Sequence, residues 1–132
     1  MANLIKKLDK EFSRYIRLRD AYPNGMFVCI SCGRVLPIAE ADCGHFIPRA
    51  NMATRYDEMN CNAECKYCNR FSLTHLIGYK KHLIQMYGEE KYEALVADGR
   101  KIKKWSEFEL KTMVEYYKNR ANCLSELKSL KI

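Results

Sequence analysis

Two pairs of cysteines constrain this chain more than any other feature of its sequence. Cys29-x-x-Cys32 and Cys65-x-x-Cys68 each carry two thiols at a spacing that lets both face one ion from a tight turn. Together they complete a tetrahedral site in which protein thiolates take all four positions, so no position stays open for water. The sequence therefore predicts a structural zinc ion, Zn²⁺, held by Cys29, Cys32, Cys65 and Cys68.

The length of chain between the two pairs indicates that another structure is built there. The gap of 32 residues exceeds the roughly 15–20 residues of an ordinary zinc ribbon. The chain begins MANLIKKLDKEF, which mixes charged and apolar residues and does not resemble a secretory signal. We therefore expect a reducing, cytoplasmic environment, in which paired cysteines bind metal more often than they form disulfides. No apolar run approaches the ~18 residues that span a bilayer, so no membrane partner is expected.

Composition and charge fit a soluble globular chain with a polyanionic partner. The 132 residues are 48% hydrophobic and 30% charged, which predicts one domain with one main core. The net charge is +7, and the basic excess lies in residues 1–20 and 71–105, on either side of a neutral centre. This distribution suits DNA bound through its phosphates, with Lys6, Lys7 and Lys10 of the first helix as candidate contacts. Lysine-rich solvated helices remain the alternative.

Hydrophobic periodicity predicts an α+β fold in which helices flank a small central core. We divide the single domain 1–132 into a basic N-terminal helix (1–20), a zinc-stapled core (26–75) and a helical C-terminal part (76–132). The expected elements are a helix at 3–19, a β-hairpin at 26–38, a strand at 42–47, a loop at 49–64, a short helix from residue 65, helices at 76–87 and 89–97, and a last helix opened by a capping box at 106–109. The apolar stripe of the last helix packs either on the first helix or on a second copy, as a homodimer.

The gap between the cysteine pairs carries the second strong signal. It contains residues 44–49 (GHFIPR), residues 54–58 (TRYDE) and Asn60, and Asn69 directly follows the last cysteine. This pattern resembles the HNH endonucleases whose ββα-metal core lies between two CxxC pairs. With residues 12–20 (FSRYIRLRD) and 65–70 (CKYCNR), it is more closely similar to the NinG (Rap) family of bacteriophage recombination proteins. The resemblance covers about residues 8–88.

The resemblance implies a role for each matching residue. His45 is the implied general base, which activates water beside a phosphodiester, and Asn60 holds its loop and ring in place. Asn69 is the implied ligand of a catalytic divalent cation, Mg²⁺ or Mn²⁺. Gly44 stands where the broader HNH pattern has a metal-binding aspartate. Asp42, on the same strand face as position 44, is the first candidate to replace that carboxylate, and Asp57 is the second.

Other polar residues near the motif can each be interpreted in two ways. Arg49, Arg55 and Arg70 surround it and are candidate phosphate contacts, although solvated loop arginines are nearly as common. His75 follows Asn69 by six residues, so on one continuous helix the two point about 240° apart and cannot share a ligand site. His75 shares a helix face with Tyr79 and His82, which reads as an ordinary polar face or as a DNA-facing or metal-binding stripe.

We therefore expect a metal-dependent DNA endonuclease of HNH type in the cytoplasm of a bacterial host cell. The NinG resemblance alone implies branched or structured DNA as the substrate, in phage or prophage recombination. The main alternative is a non-catalytic zinc-bound module that binds nucleic acid and does not need His45 or Asn69. A third reading is a protein-interaction adaptor that uses the last helix.

Overall fold

Five helices surround two short antiparallel hairpins in this chain. The computed structural model describes residues 1–132. In chain order the elements are helix α1 (Ala2–Asp20), strands β1 (Met26–Val28) and β2 (Val35–Pro37), a 3-10 turn (Ile38–Glu40), strands β3 (Ala41–His45) and β4 (Cys61–Cys65), and helices α2 (Lys66–Arg70), α3 (His75–Tyr87), α4 (Glu89–Asp98) and α5 (Glu107–Lys128). The mixed α+β class expected from the sequence is confirmed.

The two hairpins meet through their backbones and bring the cysteine pairs together. Strand β1 pairs with β2, and the turn between them carries Cys29 and Cys32. Strand β3 pairs with β4, and α2 follows β4 without a break. The amide of Ile30 in the first hairpin donates to the carbonyl of Ala63 in β4 at 3.1 Å. The β3–β4–α2 unit is thereby fixed against the first cysteine turn.

The prediction of a loop over residues 49–64 is wrong at its end, where β4 begins at Cys61. Residues 61–65 read CNAEC and contain no β-branched or aromatic side chain, so their sequence gives no strand signal. Pairing with β3 runs from Ala41 opposite Cys65 to His45 opposite Cys61. All five residues of β4 are buried. Tertiary pairing and burial therefore override a weak local preference here.

Helices α1 and α5 run parallel and form the main hydrophobic core. The Phe12 and Tyr117 rings meet edge to face with centroids 4.8 Å apart. Further along both helices, the Lys128 ammonium donates to the carbonyls of Leu18, Arg19 and Ala21 at the end of α1. The stripe of α5 is thus covered by α1, as one of the two alternatives predicted, and it gives no argument for a homodimer.

The capping box at the start of α5 is confirmed in both of its hydrogen bonds. The Ser106 hydroxyl accepts from the Glu109 amide, and the Glu109 carboxylate accepts from the Ser106 amide, each at 3.1 Å. Helix α3 is capped at its C-terminus by Gly88, whose φ of 89° is readily adopted only by glycine.

None of the helices combines the length and hydropathy that crossing a bilayer requires.

On the His75–Tyr79–His82 face of α3, Tyr79 packs inward whereas both histidines stay partly exposed, so the prediction of an ordinary polar face is wrong at Tyr79. Tyr79 is fully buried, and its hydroxyl donates to the Gly44 carbonyl of β3 at 2.6 Å. His82 lies within hydrogen-bonding distance of the Ile30 carbonyl. The sequence does not indicate the burial of Tyr79, because the other two residues of this face are histidines and the face therefore has little apolar character.

Candidate functional site

The four cysteines of the two pairs form one cluster. Their Sγ atoms all lie within 4.8 Å of one another, and the Cys32 and Cys65 sulfurs are 3.9 Å apart. A tetrahedron with Zn–S bonds of about 2.3 Å has edges of about 3.8 Å, whereas a disulfide needs about 2.05 Å. The cluster therefore fits a metal such as zinc, as predicted, and does not fit a pair of disulfides.

Backbone amides surround the sulfurs of this cluster. The amides of Cys32 and Cys65 point at the Cys29 sulfur at 3.5 and 3.2 Å, and the Cys68 amide points at the Cys65 sulfur at 3.4 Å. Such contacts stabilise negative charge on sulfur and so favour thiolates, the form that binds metal. The two turns therefore present the four sulfurs to a single cation.

His45, the last residue of β3, presents one free ring nitrogen. Its Nε2 lies 3.0 Å from the Arg55 carbonyl oxygen, which can only accept, so Nε2 carries the proton and Nδ1 keeps its lone pair. Burial lowers the pKa of His45, and the positive charges of Arg49 and Arg55 lower it further. The ring is therefore neutral near pH 7 and is prepared to accept a proton at Nδ1.

Asn60 is completely buried and ties the two ends of the loop between β3 and β4. Its Oδ1 accepts from the Ile47 amide at 2.7 Å, and its Nδ2 donates to the carbonyls of Ile47 and Thr54, both at 3.1 Å. Thr54 precedes Arg55, whose carbonyl orients the His45 ring. Asn60 thus acts on the ring through the loop and does not contact it directly.

One of the three arginines predicted to contact phosphate instead stabilises the fold. Arg55 forms a two-pronged ion pair with Asp9 of α1, and it also donates to the Arg49 carbonyl at 3.1 Å. Its side chain is 13% exposed, whereas those of Arg49 and Arg70 are 61% and 53% exposed. Arg55 therefore anchors the loop to α1. Arg49 and Arg70 are more exposed, although Arg49 also pairs with Asp9 and Arg70 with Asp42.

A depression on the surface collects several of the predicted residues. Two adjoining hollows form it, and both are lined by Cys43, His45, Arg49 and Asn69. We call it the His45 depression. Its remaining walls come from α1, the end of β3 and the start of α3: Asp9, Phe12, Ser13, Asp42 and Arg70 in one hollow, and Phe46, Pro48, His75 and Leu76 in the other.

Asp42 reaches Asn69 within this depression. The Asn69 Nδ2 donates to Asp42 Oδ2 at 2.9 Å, and Arg70 donates to both carboxylate oxygens at 2.8 and 3.0 Å. Asp57, the other candidate carboxylate, instead accepts from the Met59 amide and closes a turn in the loop. The Asp42 carboxylate is thus held by Arg70 and Asn69, and a catalytic cation at Asp42 and Asn69 stays a prediction.

Two residues of the region were not linked to it from the sequence. Glu64 lies in β4, within the segment predicted to be loop, and is fully buried. His75 was separated from Asn69 by assuming one continuous helix, but α2 ends at Arg70 and α3 begins at His75. The break brings His75 to the same depression as Asn69. Ser72 and Thr74, residues that favour turns and helix starts, are the only sequence signal for that break.

Lys6, Lys7 and Lys10 lie together on the exposed side of α1, beside Asn3. The structure therefore groups the three lysines that were predicted to contact DNA. They do not line the His45 depression. Any role in nucleic-acid binding would be separate from the chemistry at His45.

Comparison with known proteins shows similarity along most of the chain. The family model described as the Bacteriophage Lambda NinG protein matches residues 1–128, which extends past residue 88 into α5. A relative named protein ninG from Salmonella phage P22 is 29% identical over 126 residues, covering 95% of this chain and 59% of the relative. No solved structure matches the chain.

Two further relatives carry the same name. Protein ninG of Escherichia phage lambda is 28% identical over 126 residues, covering 95% of this chain and 59% of the relative. Protein ninG of Enterobacteria phage H19B is 33% identical over 87 residues, covering 65% and 41%. This chain therefore spans about three-fifths of the length of the first relatives. With its match over residues 1–128, the chain belongs to the NinG family of bacteriophage proteins.

Proposed function

We propose that this chain is a metal-dependent DNA endonuclease of HNH type, in which β3, β4 and α2 form the ββα-metal core. The observation that carries the proposal is the His45 ring, whose Nδ1 lone pair is free beside Asn69 in an arginine-lined depression. Hydrolysis of a phosphodiester needs a base with a pKa near ~7, groups that position the phosphate, and compensation of developing negative charge. The depression offers residues for each need.

Each residue at the depression has a distinct task in this scheme. His45 accepts the proton of the attacking water at Nδ1, and Asn60 keeps the loop that orients its ring. Arg49 and Arg70 donate to the phosphate oxygens. Asn69 and Asp42 would hold Mg²⁺ or Mn²⁺, which when bound compensates negative charge on the scissile phosphate.

Membership in the NinG family supports DNA recombination in phages or prophages as the setting. The resemblance, and not the residue chemistry, suggests branched or structured DNA as the substrate. Cleavage of matched linear, single-stranded and four-way DNA with Mg²⁺ or Mn²⁺ tests both points. We expect cation-dependent cleavage with preference for the four-way substrate, whereas binding without cleavage would favour the alternative of a non-catalytic zinc-bound module.

The pH dependence of cleavage should reflect the environment of His45. Because burial and the neighbouring arginines lower its pKa, His45 stays neutral to a lower pH than an unperturbed histidine at about 6.5. We expect the acid limb of the kcat/KM profile to have its midpoint below that value. A profile measured from pH 5 to 8 at saturating Mn²⁺ checks this, and a midpoint above 7 would contradict the assignment.

DNA binding should depend on the lysines of α1. Replacing Lys6, Lys7 and Lys10 together by glutamine removes up to three phosphate contacts, so affinity should fall similarly for all DNA sequences. The slope of log Kd against log salt should also become shallower by up to about three. Titration of labelled duplex at several salt concentrations measures this slope. An unchanged slope would place the contacts elsewhere, with Lys101, Lys103 and Lys104 as the next candidates.

A further inference from the structure

Glu64 is an unusual residue for the interior of so small a protein. It is fully buried, and one carboxylate oxygen, Oε2, contacts the Ser31 hydroxyl and lies 2.6 Å from His75 Nδ1. The other oxygen, Oε1, has no hydrogen-bond partner. No lysine or arginine pairs with Glu64, so its polar partners are the Ser31 hydroxyl and the His75 ring.

The Glu64 carboxylate also explains the glycine at position 44. A Cβ atom added to Gly44 would collide with Glu64 Oε1 and with the Glu64 Cβ. Gly44 lies opposite Asn62, so Glu64 reaches over it from the neighbouring strand. In this chain a carboxylate is therefore present beside position 44, but it comes from β4 and cannot coexist with a side chain on residue 44.

His75 is held by this carboxylate with one nitrogen free. The hydrogen bond to Glu64 engages Nδ1 of His75, so Nε2 is the ring nitrogen left without a partner in the fold. His75 lines the same hollow as His45 and Asn69, and its side chain is 20% exposed. Histidines that ligate metal ions commonly donate their other ring N–H to a carboxylate in this way, which fixes the tautomer and raises ligand basicity.

We propose that His75 is a further ligand of the divalent cation at the His45 depression, through Nε2, and that Glu64 is its positioning residue. This inference depends on the proposed function, because that function requires a divalent cation at the depression. His75 gives the hollow that it shares with Asn69 an imidazole ligand. An imidazole ligand suits Mn²⁺ better than Mg²⁺, because imidazole favours transition metals.

Direct measurement of Mn²⁺ binding tests the proposal without relying on cleavage. The zinc-loaded chain of 132 residues is titrated with Mn²⁺, and free Mn²⁺ is followed by electron paramagnetic resonance. We expect His75→Ala and Glu64→Gln each to weaken Mn²⁺ binding by about 10–100-fold. His82→Ala is the matched control, since His82 lies on the same helix face but outside the depression, and it should bind Mn²⁺ like the parent.

The outcomes separate this inference from the proposed function. If His75→Ala binds Mn²⁺ like the parent while Asn69→Ala loses binding, His75 is not a ligand and the nuclease proposal is unaffected. If the parent binds Mn²⁺ through His75 but cleaves no DNA, the ligand assignment holds and the nuclease proposal fails. Should Glu64→Gln not fold, His75→Ala and His75→Gln still decide the assignment, because His75 is partly exposed and neither change leaves a large cavity.

Discussion

Replacing His45 by alanine is expected to reduce DNA cleavage by about 10²–10⁴-fold, the usual contribution of a general base. The Arg55 carbonyl holds Nε2 of the ring, which leaves Nδ1 free for proton transfer. Zinc content and DNA affinity should not change, since His45 is outside the four-cysteine cluster and apart from the lysines of α1. Single-turnover rates at saturating Mn²⁺ measure the effect.

The matched control for this variant is His82→Ala. His82 is a partly buried histidine of α3 that contacts the Ile30 carbonyl and does not line the His45 depression. It should therefore cleave DNA at the parental rate. A His45→Ala protein that cleaves as fast as the parent would remove the general-base assignment, and with it the main support for the nuclease proposal.

Loss of one zinc ligand is expected to abolish the native fold. Structural zinc in small domains binds with ~10–16 kcal/mol of apparent free energy, comparable to or above the ~5–15 kcal/mol that stabilises a whole domain. Cys29, Cys65 and Cys68 also belong to a small buried cluster with Phe27 and Ala63, which has little else to hold it. Cys29→Ser or Cys68→Ser should therefore yield insoluble protein or a molten state.

Zinc content by elemental analysis and near-ultraviolet circular dichroism measure this loss. Cys123→Ser is the control, because Cys123 is an exposed residue of α5 outside the four-cysteine cluster. It should fold and bind one zinc per chain. Native protein that contains no zinc, or a Cys68→Ser variant that keeps both zinc and the parental spectrum, would contradict the prediction.

Features encoded by local spacing could be predicted from the sequence. Two residues between cysteines set the turn that each pair adopts, so the four-cysteine cluster followed from the sequence without knowledge of the chain between the pairs. The first and last helices followed in the same way from their apolar periodicity and from the capping box at Ser106. These signals depend on neighbours within a few positions.

Features created by contacts between distant segments could not be predicted. Arg55 looked like a phosphate contact because nothing local shows that Asp9, 46 residues earlier, pairs with it. Strand β4 has no propensity of its own and exists because β3 pairs with it. The ligand geometry of His75 depends on the helix break after Arg70 and on a glutamate of β4, so neither residue was linked to the site.

The parallel contact between α1 and α5 has a consequence for how the chain reaches its native state. Lys128 and the α1 carbonyl of Leu18 are 110 positions apart, so the main core closes only after nearly the whole chain is available. Non-local closure of this kind slows folding. During synthesis, the apolar face of α1 stays exposed to solvent until α5 emerges from the ribosome. This face includes Leu8, Phe12 and Ile16. A nascent chain that ends before residue 107 therefore exposes the apolar face of α1 to other chains, which favours aggregation over folding.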